Sequence, residues 1–273
     1  MAKTNICSLS ENDILEIKEK SLEKLKELHK TKDIIGKQIF FILDTCAKVI
    51  YYPLGADAPW GFTDVKGTNT NDSDKVFVVL NSSVSVECQV FAAAHELYHI
   101  CYDRKEDIIT GSDSESDLTE LKANRFAAEF LVSESLLKRE FKSYVNDPKN
   151  VMLKDILKLS ELFEVPYKTM VKRLYETGLI SSEMEYKYLQ ITEKEIGIER
   201  KRYSISTMIA DNRIAIADHT ALSIEAYEKG LISYERLEYY LAKSKLVPDD
   251  VGIKKEDEYL LPSDDELDDI MGE

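Results

Sequence analysis

Residues 95–99 read His-Glu-Leu-Tyr-His, and this pattern constrains the chain more than any other stretch. His95 and His99 are four positions apart, so on an α-helix both imidazoles project from one face and can reach a single ion. Neutral imidazole is a preferred zinc ligand. Glu96 points about 100° away from His95, where it cannot easily join the same coordination shell but can accept a proton from water. The motif therefore predicts a metal site with its general base in place.

The residues around the motif are apolar on nearly every side of the predicted helix, which indicates that the helix is buried. They are Val90, Phe91, Ala92, Ala93, Ala94, Leu97, Ile100 and Cys101. Two histidines and a glutamate are costly inside a buried helix unless they have partners. A metal ion satisfies both imidazoles at once, whereas a buried polar network without metal is the alternative interpretation.

A catalytic zinc usually has three protein ligands and a water. An extended motif with a third histidine at position 105 is excluded, because that residue is Lys105. Among the carboxylates that follow, Glu120 shares its helix face with small residues that allow close packing against the histidine helix. Glu129 lies about half a turn further round the helix and four residues from Arg125, which suits a surface ion pair. Glu120 is therefore the preferred third ligand, with three weaker candidates in the preceding segment: Asp113, Glu115 and Asp117.

Two further roles follow from the predicted site. Asn124 lies one helical turn beyond Glu120 and can hydrogen-bond a ligand and fix its orientation. A group that stabilises the oxyanion stays unassigned. Its candidates are Tyr98, Tyr102, Tyr203 and His219, for each of which packing or surface exposure is the competing interpretation.

The charge of the chain argues against a phosphate-binding surface. The 273 residues carry a net charge of −15. Residues 249–273 contain eleven acidic and two basic residues, a net charge of −9, which leaves −6 for the other 248. No segment shows the broad Lys/Arg excess of a nucleic-acid-binding protein.

The sequence predicts a reduced, cytoplasmic protein. Its four cysteines are scattered, no apolar run is long enough for a membrane span, and the N-terminus does not resemble a signal peptide.

Hydrophobic periodicity places the motif among other elements. Residues 11–30 are predicted as an amphipathic helix that begins with a capping box at Ser10 and Asp13. "VIYYPLG" and "KVFVVLN" are typical of strands, with the polar loop "GTNTNDSD" between them. A second helix is predicted from about Asp117 to Leu131. "YETGLISSEMEYKYL" and "YEKGLISYERLEYYL" are identical at nine of fifteen positions and predict the same helix–glycine–helix corner twice.

Three segments in order resemble the ImmA/IrrE family of zinc-dependent peptidases. They are "VFVVLNSSVSVECQVFAAAHELYHI", "ELKANRFAAEFLV" and "LSELFEVPYKTMVKRLYETGLI", and the resemblance spans roughly residues 35–181. It implies a gluzincin-like α+β fold with His95, His99 and Glu120 as Zn²⁺ ligands and Glu96 as general base. It also implies cleavage of a specific protein, often a helix-turn-helix repressor in a mobile element or stress response.

These observations together predict an α+β chain that is predominantly helical. A zincin-like core over 1–135 contains a small sheet and the H-E-x-x-H helix. A helical extension with a helix-turn-helix-like corner follows over 136–190, then a helical C-terminal region over 191–248 and an acidic tail over 249–273. Peptidases of this architecture usually bind the substrate as a strand on a sheet edge, and "KVFVVLN" is the candidate edge.

Two other classes of protein compete with the endopeptidase interpretation. The first is a non-catalytic, metal-containing regulator or antitoxin-like binder, although a structural metal site more often has four protein ligands. The second is a DNA-binding regulator that uses Lys168, Lys172 and Arg173 on the second helix of the corner. The acidic balance favours a packing role for that corner, so direct nucleic-acid binding is not expected.

The acidic tail is expected to be solvated. The alternative is a regulatory tail that lies over the active-site cleft or recruits a basic partner.

Overall fold

A computed structural model of the chain describes residues 8–65, 76–103, 113–207, 209–216 and 218–254. The predicted loop at 67–74 and the tail beyond residue 254 lie outside the described residues. The chain divides into two compact units, Met1–Ala217 and Asp218–Glu273. The four-part division predicted from the sequence stays a prediction.

The first unit contains nine helices and four strands among its described residues. In chain order these are α1 (Glu11–Glu27), α2 (Gln38–Asp44), β1 (Lys48–Tyr52), β2 (Gly61–Val65), β3 (Val76–Asn81), α3 (Val86–Tyr102), α4 (Asp113–Leu131), α5 (Glu134–Tyr144), α6 (Leu153–Phe163), α7 (Tyr167–Glu176), α8 (Ser182–Leu189), α9 (Glu193–Arg202) and β4 (Ala215–Ile216). The fold is therefore α+β and predominantly helical, as predicted.

The strands form one sheet in the order β2-β3-β1-β4. β1 and β3 are parallel, with Ile50 opposite Val79, and β2 and β4 each pair antiparallel at the outside. β3 thus lies between two strands, and the prediction that "KVFVVLN" is the edge was wrong. β2 occupies that edge among the described strands. It is a short strand with a glycine and a threonine, and the sequence does not mark it as a strand.

α3 is the central helix of the first unit and packs between the sheet and α4. Its buried residues include Val90, Ala93, Ala94 and Leu97, none of which is measurably exposed. The alanines of both helices allow their backbones to approach closely, since Ala123 and Ala127 of α4 are also fully buried. This packing holds the motif helix rigidly beside the predicted ligand helix.

α1 packs against α4 and begins where the sequence predicts. The Ser10 hydroxyl accepts a hydrogen bond from the Asp13 amide, and the Asp13 carboxylate accepts one from the Ser10 amide. This capping box satisfies amide groups that would otherwise lack partners at the helix start. Asp13 also forms an ion pair of 2.6 Å with Lys122, which fixes α1 to α4.

A buried ion network joins α4 to α7. Arg125 pairs with Glu129 at 2.6 Å, as predicted, but Glu129 is buried rather than at the surface. Arg173 of α7 explains the difference, because its guanidinium contacts both carboxylate oxygens of Glu129 at 2.9 and 2.7 Å. Arg173 is only 1% exposed. α7 is the second helix of the corner considered for DNA binding. One of its three cations, Arg173, is therefore buried in the protein core.

The second unit contains α10 (His219–Glu228), α11 (Tyr234–Lys243) and a 3-10 helix (Pro248–Val251). The repeated corner is confirmed in both units, because Gly178 and Gly230 have φ of 71° and 67°. Ser181 and Ser233 each cap the following helix through the side-chain oxygen. None of the helices within the described residues is both long and apolar enough to cross a membrane.

Candidate metal centre

His95, His99 and Glu120 converge at the contact between α3 and α4. The Nε2 atoms of the two histidines are 3.1 Å apart. Glu120 places Oε2 at 3.1 Å from Nε2 of His95 and Oε1 at 3.6 Å from Nε2 of His99. Among the described residues, this is the group of histidine, cysteine and carboxylate side chains whose spacing suits a metal ion.

The spacing of the three residues fits a zinc ion. Ligand atoms that lie 2.0–2.1 Å from a tetrahedral zinc are about 3.3–3.4 Å from one another. The measured separations of 3.1 and 3.6 Å bracket that value. The side chain of Glu120 is 54% exposed, so one side of the site is open to solvent.

Both imidazoles are oriented by hydrogen bonds at the nitrogen that faces away from the centre. Nδ1 of His95 lies 3.1 Å from Oδ1 of Asn124, and Nδ1 of His99 lies 3.2 Å from Oδ2 of Asp103. Both oxygens are acceptors, so these contacts favour the tautomer in which Nδ1 carries the proton and Nε2 presents a lone pair. Burial first, and then the neighbouring His99, lower the pKa of His95, which favours the neutral form that binds metal.

Glu96 lies beside the centre and contacts the sheet rather than the two histidines. It is 4% exposed, and Oε2 accepts a hydrogen bond of 2.7 Å from the hydroxyl of Thr63 in β2. Burial raises the pKa of Glu96, while the Thr63 hydrogen bond opposes that rise. Gly61 allows β2 to come this close, since a Cβ there would lie 3.3 Å from Oε1 of Glu96 and 3.2 Å from Cδ2 of Leu80.

The other residues considered from the sequence do not join the three ligands. Glu129 is buried in the ion network with Arg173. Asp117 is exposed, and the side chains of Asp113 and Glu115 lie outside the described residues. Thr63 and Asp103, in contrast, contact the site without having been identified from the sequence.

The candidate oxyanion stabilisers have other contacts. The Tyr102 hydroxyl donates to the carbonyl of Lys20, and Tyr98 packs on Phe126 with ring centroids 5.5 Å apart. Tyr203 lies under the Lys154 ammonium, and His219 belongs to the second unit.

Comparison with known families agrees with this geometry. Residues 47–175 match the family described as Peptidase_M78, IrrE N-terminal-like domain. This range includes β1, the H-E-x-x-H helix and the Glu120 helix, and the match supports membership of the ImmA/IrrE family. The class that fold and family define is therefore a zincin-like metallopeptidase or an IrrE-like regulator, in which a metal, typically zinc, is expected.

Other comparisons are less extensive. A solved structure titled "Mycobacterium tuberculosis transcriptional regulator" is similar with a TM-score of 0.44 and 15% sequence identity. The match covers 60% of this chain and 47% of that one, so this chain spans about half the length of that protein. Comparison with curated protein sequences gives no match.

Proposed function

We propose that the chain is a zinc-dependent endopeptidase that cleaves a specific protein, with a helix-turn-helix repressor or similar regulator as the expected substrate. The observation that supports the proposal most directly is the convergence of two imidazole Nε2 atoms and a carboxylate within bonding range of one ion. His95, His99 and Glu120 are the proposed ligands. A site of three protein ligands leaves a position open for water or substrate, which is typical of catalytic zinc.

The roles of the side chains follow from their positions. When bound, zinc supplies Lewis acidity, which polarises a peptide carbonyl and makes water a stronger acid. Glu96 accepts the proton of the attacking water and returns it to the leaving amine nitrogen. Thr63 holds the carboxylate of Glu96 in place, while Asn124 and Asp103 keep the two imidazoles aimed at the metal position.

We propose β2 as the strand that aligns the substrate. One side of β2 is paired with β3, and no described strand pairs with its other side. The backbone groups of that free side can bind an extended peptide as an added strand. Thr63 belongs to β2 and contacts Glu96, so a peptide on this edge passes the general base.

The experiment that tests the proposal compares wild-type protein with a Glu96→Gln variant. Lysate of the cell that naturally makes the protein is incubated with each zinc-loaded form, and new protein N-termini are identified by chemical labelling and mass spectrometry. We expect new termini only with wild-type protein, and none after chelation. Both proteins should contain zinc at one ion per chain, because Glu96 is not a ligand.

Two further variants separate the ligand assignment from the catalytic one. Glu120→Ala should lose zinc, whereas Glu129→Ala should retain it in whatever fraction of the protein folds. Cleavage that survives Glu96→Gln would refute the peptidase proposal. Zinc retention together with no cleavage by the wild-type protein would instead support the non-catalytic regulator.

A further inference from the structure

A cleft of about 810 Å³ opens beside the metal centre. Asn124, which hydrogen-bonds His95, is part of its wall, and so is Phe91, one helical turn before His95 on α3. The cleft is bounded further away by α7 and α9. Its volume lies in the range of ligand-binding pockets and accommodates several side chains of an extended segment.

The end of the cleft nearest the metal centre is apolar. Trp60, which directly precedes β2, meets Phe91 edge to face with ring centroids 6.3 Å apart. Cys88, Ala128 and Ile196 add apolar surface elsewhere in the lining of the cleft. Burial raises the pKa of the Cys88 thiol to about 11, so the thiol stays neutral and behaves as a small apolar group. This end suits an aliphatic side chain.

The wall formed by α7 is basic. Among the described residues, four cations line the cleft. Two of them are neutralised, Arg125 by Glu176 at 2.8 Å and Arg200 by Glu87 at 3.4 Å. Lys168 and Lys172 are the other two; both are exposed and one turn apart, and no ion pair joins either to a described residue.

The two unpaired lysines leave the cleft with a net positive charge. Glu193 is the remaining carboxylate of the described lining, which therefore carries four positive and three negative side chains in a chain of net charge −15. A positive cleft in an acidic protein attracts negatively charged partners and repels positively charged ones.

We propose that this cleft selects the substrate by binding a segment that combines an aliphatic side chain with nearby carboxylates. The aliphatic side chain occupies the surface of Trp60 and Phe91, and the carboxylates face Lys168 and Lys172. The inference rests on the proposed peptidase function and adds a substrate class to it. A nucleic acid is the less suitable occupant, because two lysines do not outweigh the acidic character of the whole chain.

Peptide binding tests the inference without requiring cleavage. The full-length Glu96→Gln protein is loaded with zinc and titrated with three dye-labelled octapeptides that have central leucines flanked by aspartate, asparagine or lysine. Anisotropy gives the affinities. Trp60 is the single tryptophan of the chain, so its fluorescence reports whether the peptide occupies the cleft. We expect the aspartate peptide to bind roughly three- to tenfold more tightly than the asparagine peptide, as two exposed charge pairs allow, and the lysine peptide to bind most weakly.

A charge reversal and its matched control complete the test. Lys168→Glu with Lys172→Glu should invert the order of the three peptides. Lys142→Glu with Lys158→Glu changes the net charge equally at exposed positions on α5 and α6, and should preserve the order. Absence of binding at millimolar peptide, an order that the first double variant leaves unchanged, or binding without a change in Trp60 emission would each overturn the inference. Tighter binding of an octanucleotide than of the aspartate peptide would also overturn it.

The two proposals can fail separately. Cleavage of host proteins by the wild-type chain without any charge preference in the cleft refutes the cleft inference alone. Charge-selective peptide binding, together with no zinc-dependent cleavage, supports the cleft as a binding site and refutes the peptidase proposal.

Discussion

At the scale of single residues, two hydrogen bonds from residues outside the proposed ligand set orient the histidines of the candidate metal centre. Asn124 and Asp103 fix which nitrogen of each imidazole carries the proton. We expect Asn124→Ala or Asp103→Ala to weaken zinc binding about 10–100-fold, because each imidazole then rotates and changes tautomer freely. Competition with a fluorescent chelator measures the affinity. Asn150→Ala, an exposed change in the loop before α6, serves as control, and an equal loss of affinity there would contradict the prediction.

The sequence could predict some residues of the centre but not others. His95, Glu96 and His99 follow from spacing within one helix, and Glu120 follows from the stripe of small residues on its helix. Thr63 could not be predicted, because its contact with Glu96 spans 33 residues and depends on the pairing of β2. Asp103 follows the end of α3, where periodicity gives no information about side-chain direction.

At the scale of elements, an ion network fixes α4, the helix that carries Glu120, to α7. Arg173→Met leaves the carboxylate of Glu129 buried with Arg125 as its remaining cation. We expect the free energy of unfolding to fall by about 3–5 kcal/mol, as measured by urea denaturation. The double variant Arg173→Met with Glu129→Met should lose less than the sum of the two single losses, because it leaves neither charge unpaired. Additive losses would show that the two residues act independently.

The contact between α1 and α4 should make stability depend on pH. The Lys122 ammonium first, and then the hydrogen bonds from Ser10, lower the pKa of Asp13 from 3.8 to about 2. A pKa that is lower in the folded state stabilises the protein above the unfolded pKa, and the stabilisation is lost as the pH falls towards the folded pKa. We therefore expect Asp13→Asn to lower the urea midpoint at pH 7, by an amount that shrinks between pH 4 and pH 2.

Lys122→Ala provides the matched comparison for this prediction. It removes the cation that has the largest effect on the Asp13 pKa, so its destabilising effect should shrink over the same pH interval. An effect of Asp13→Asn that is equal at pH 7 and pH 3 would assign the stabilisation to helix capping instead of charge.

The elements that the sequence predicted correctly have strong internal periodicity or composition. α1, α3, β1 and β3 belong to this group. β2 and β4 were not predicted because their identity as strands comes from their partners: β2 contains glycine and threonine, and β4 has two residues that pair with β1 from far along the chain. The prediction that β3 is the edge strand was wrong for the same reason, because β3 would be at the edge only if β2 were absent.

At the scale of the whole molecule, the first unit contains every residue assigned to the metal centre and the cleft. Its last described segment, 209–216, returns from α9 to the sheet. The amide of Asn212 donates to the carbonyl of Ser82, and the Ser82 hydroxyl donates to the carbonyl of Arg213. The Arg213 guanidinium lies 3.5 Å from the ring centroid of Tyr51, which adds a cation–π contact on β1. The segment therefore completes the sheet on the side of β1, where it contributes β4.

These contacts of segment 209–216 predict where the chain can be shortened. A chain that ends at Ala217 should fold, bind one zinc ion and melt within a few degrees of the first unit in the full chain. A chain that ends at Ser204 lacks β4 and the bonds to Ser82, each worth about 0.5–1.5 kcal/mol, and should be less stable by about 3–6 kcal/mol. Calorimetry and zinc content measure both effects. Equal stability of the two shortened chains would show that residues 205–217 do not belong to the folding unit of the metal centre. Loss of zinc from both chains would show that zinc binding depends on residues beyond 217.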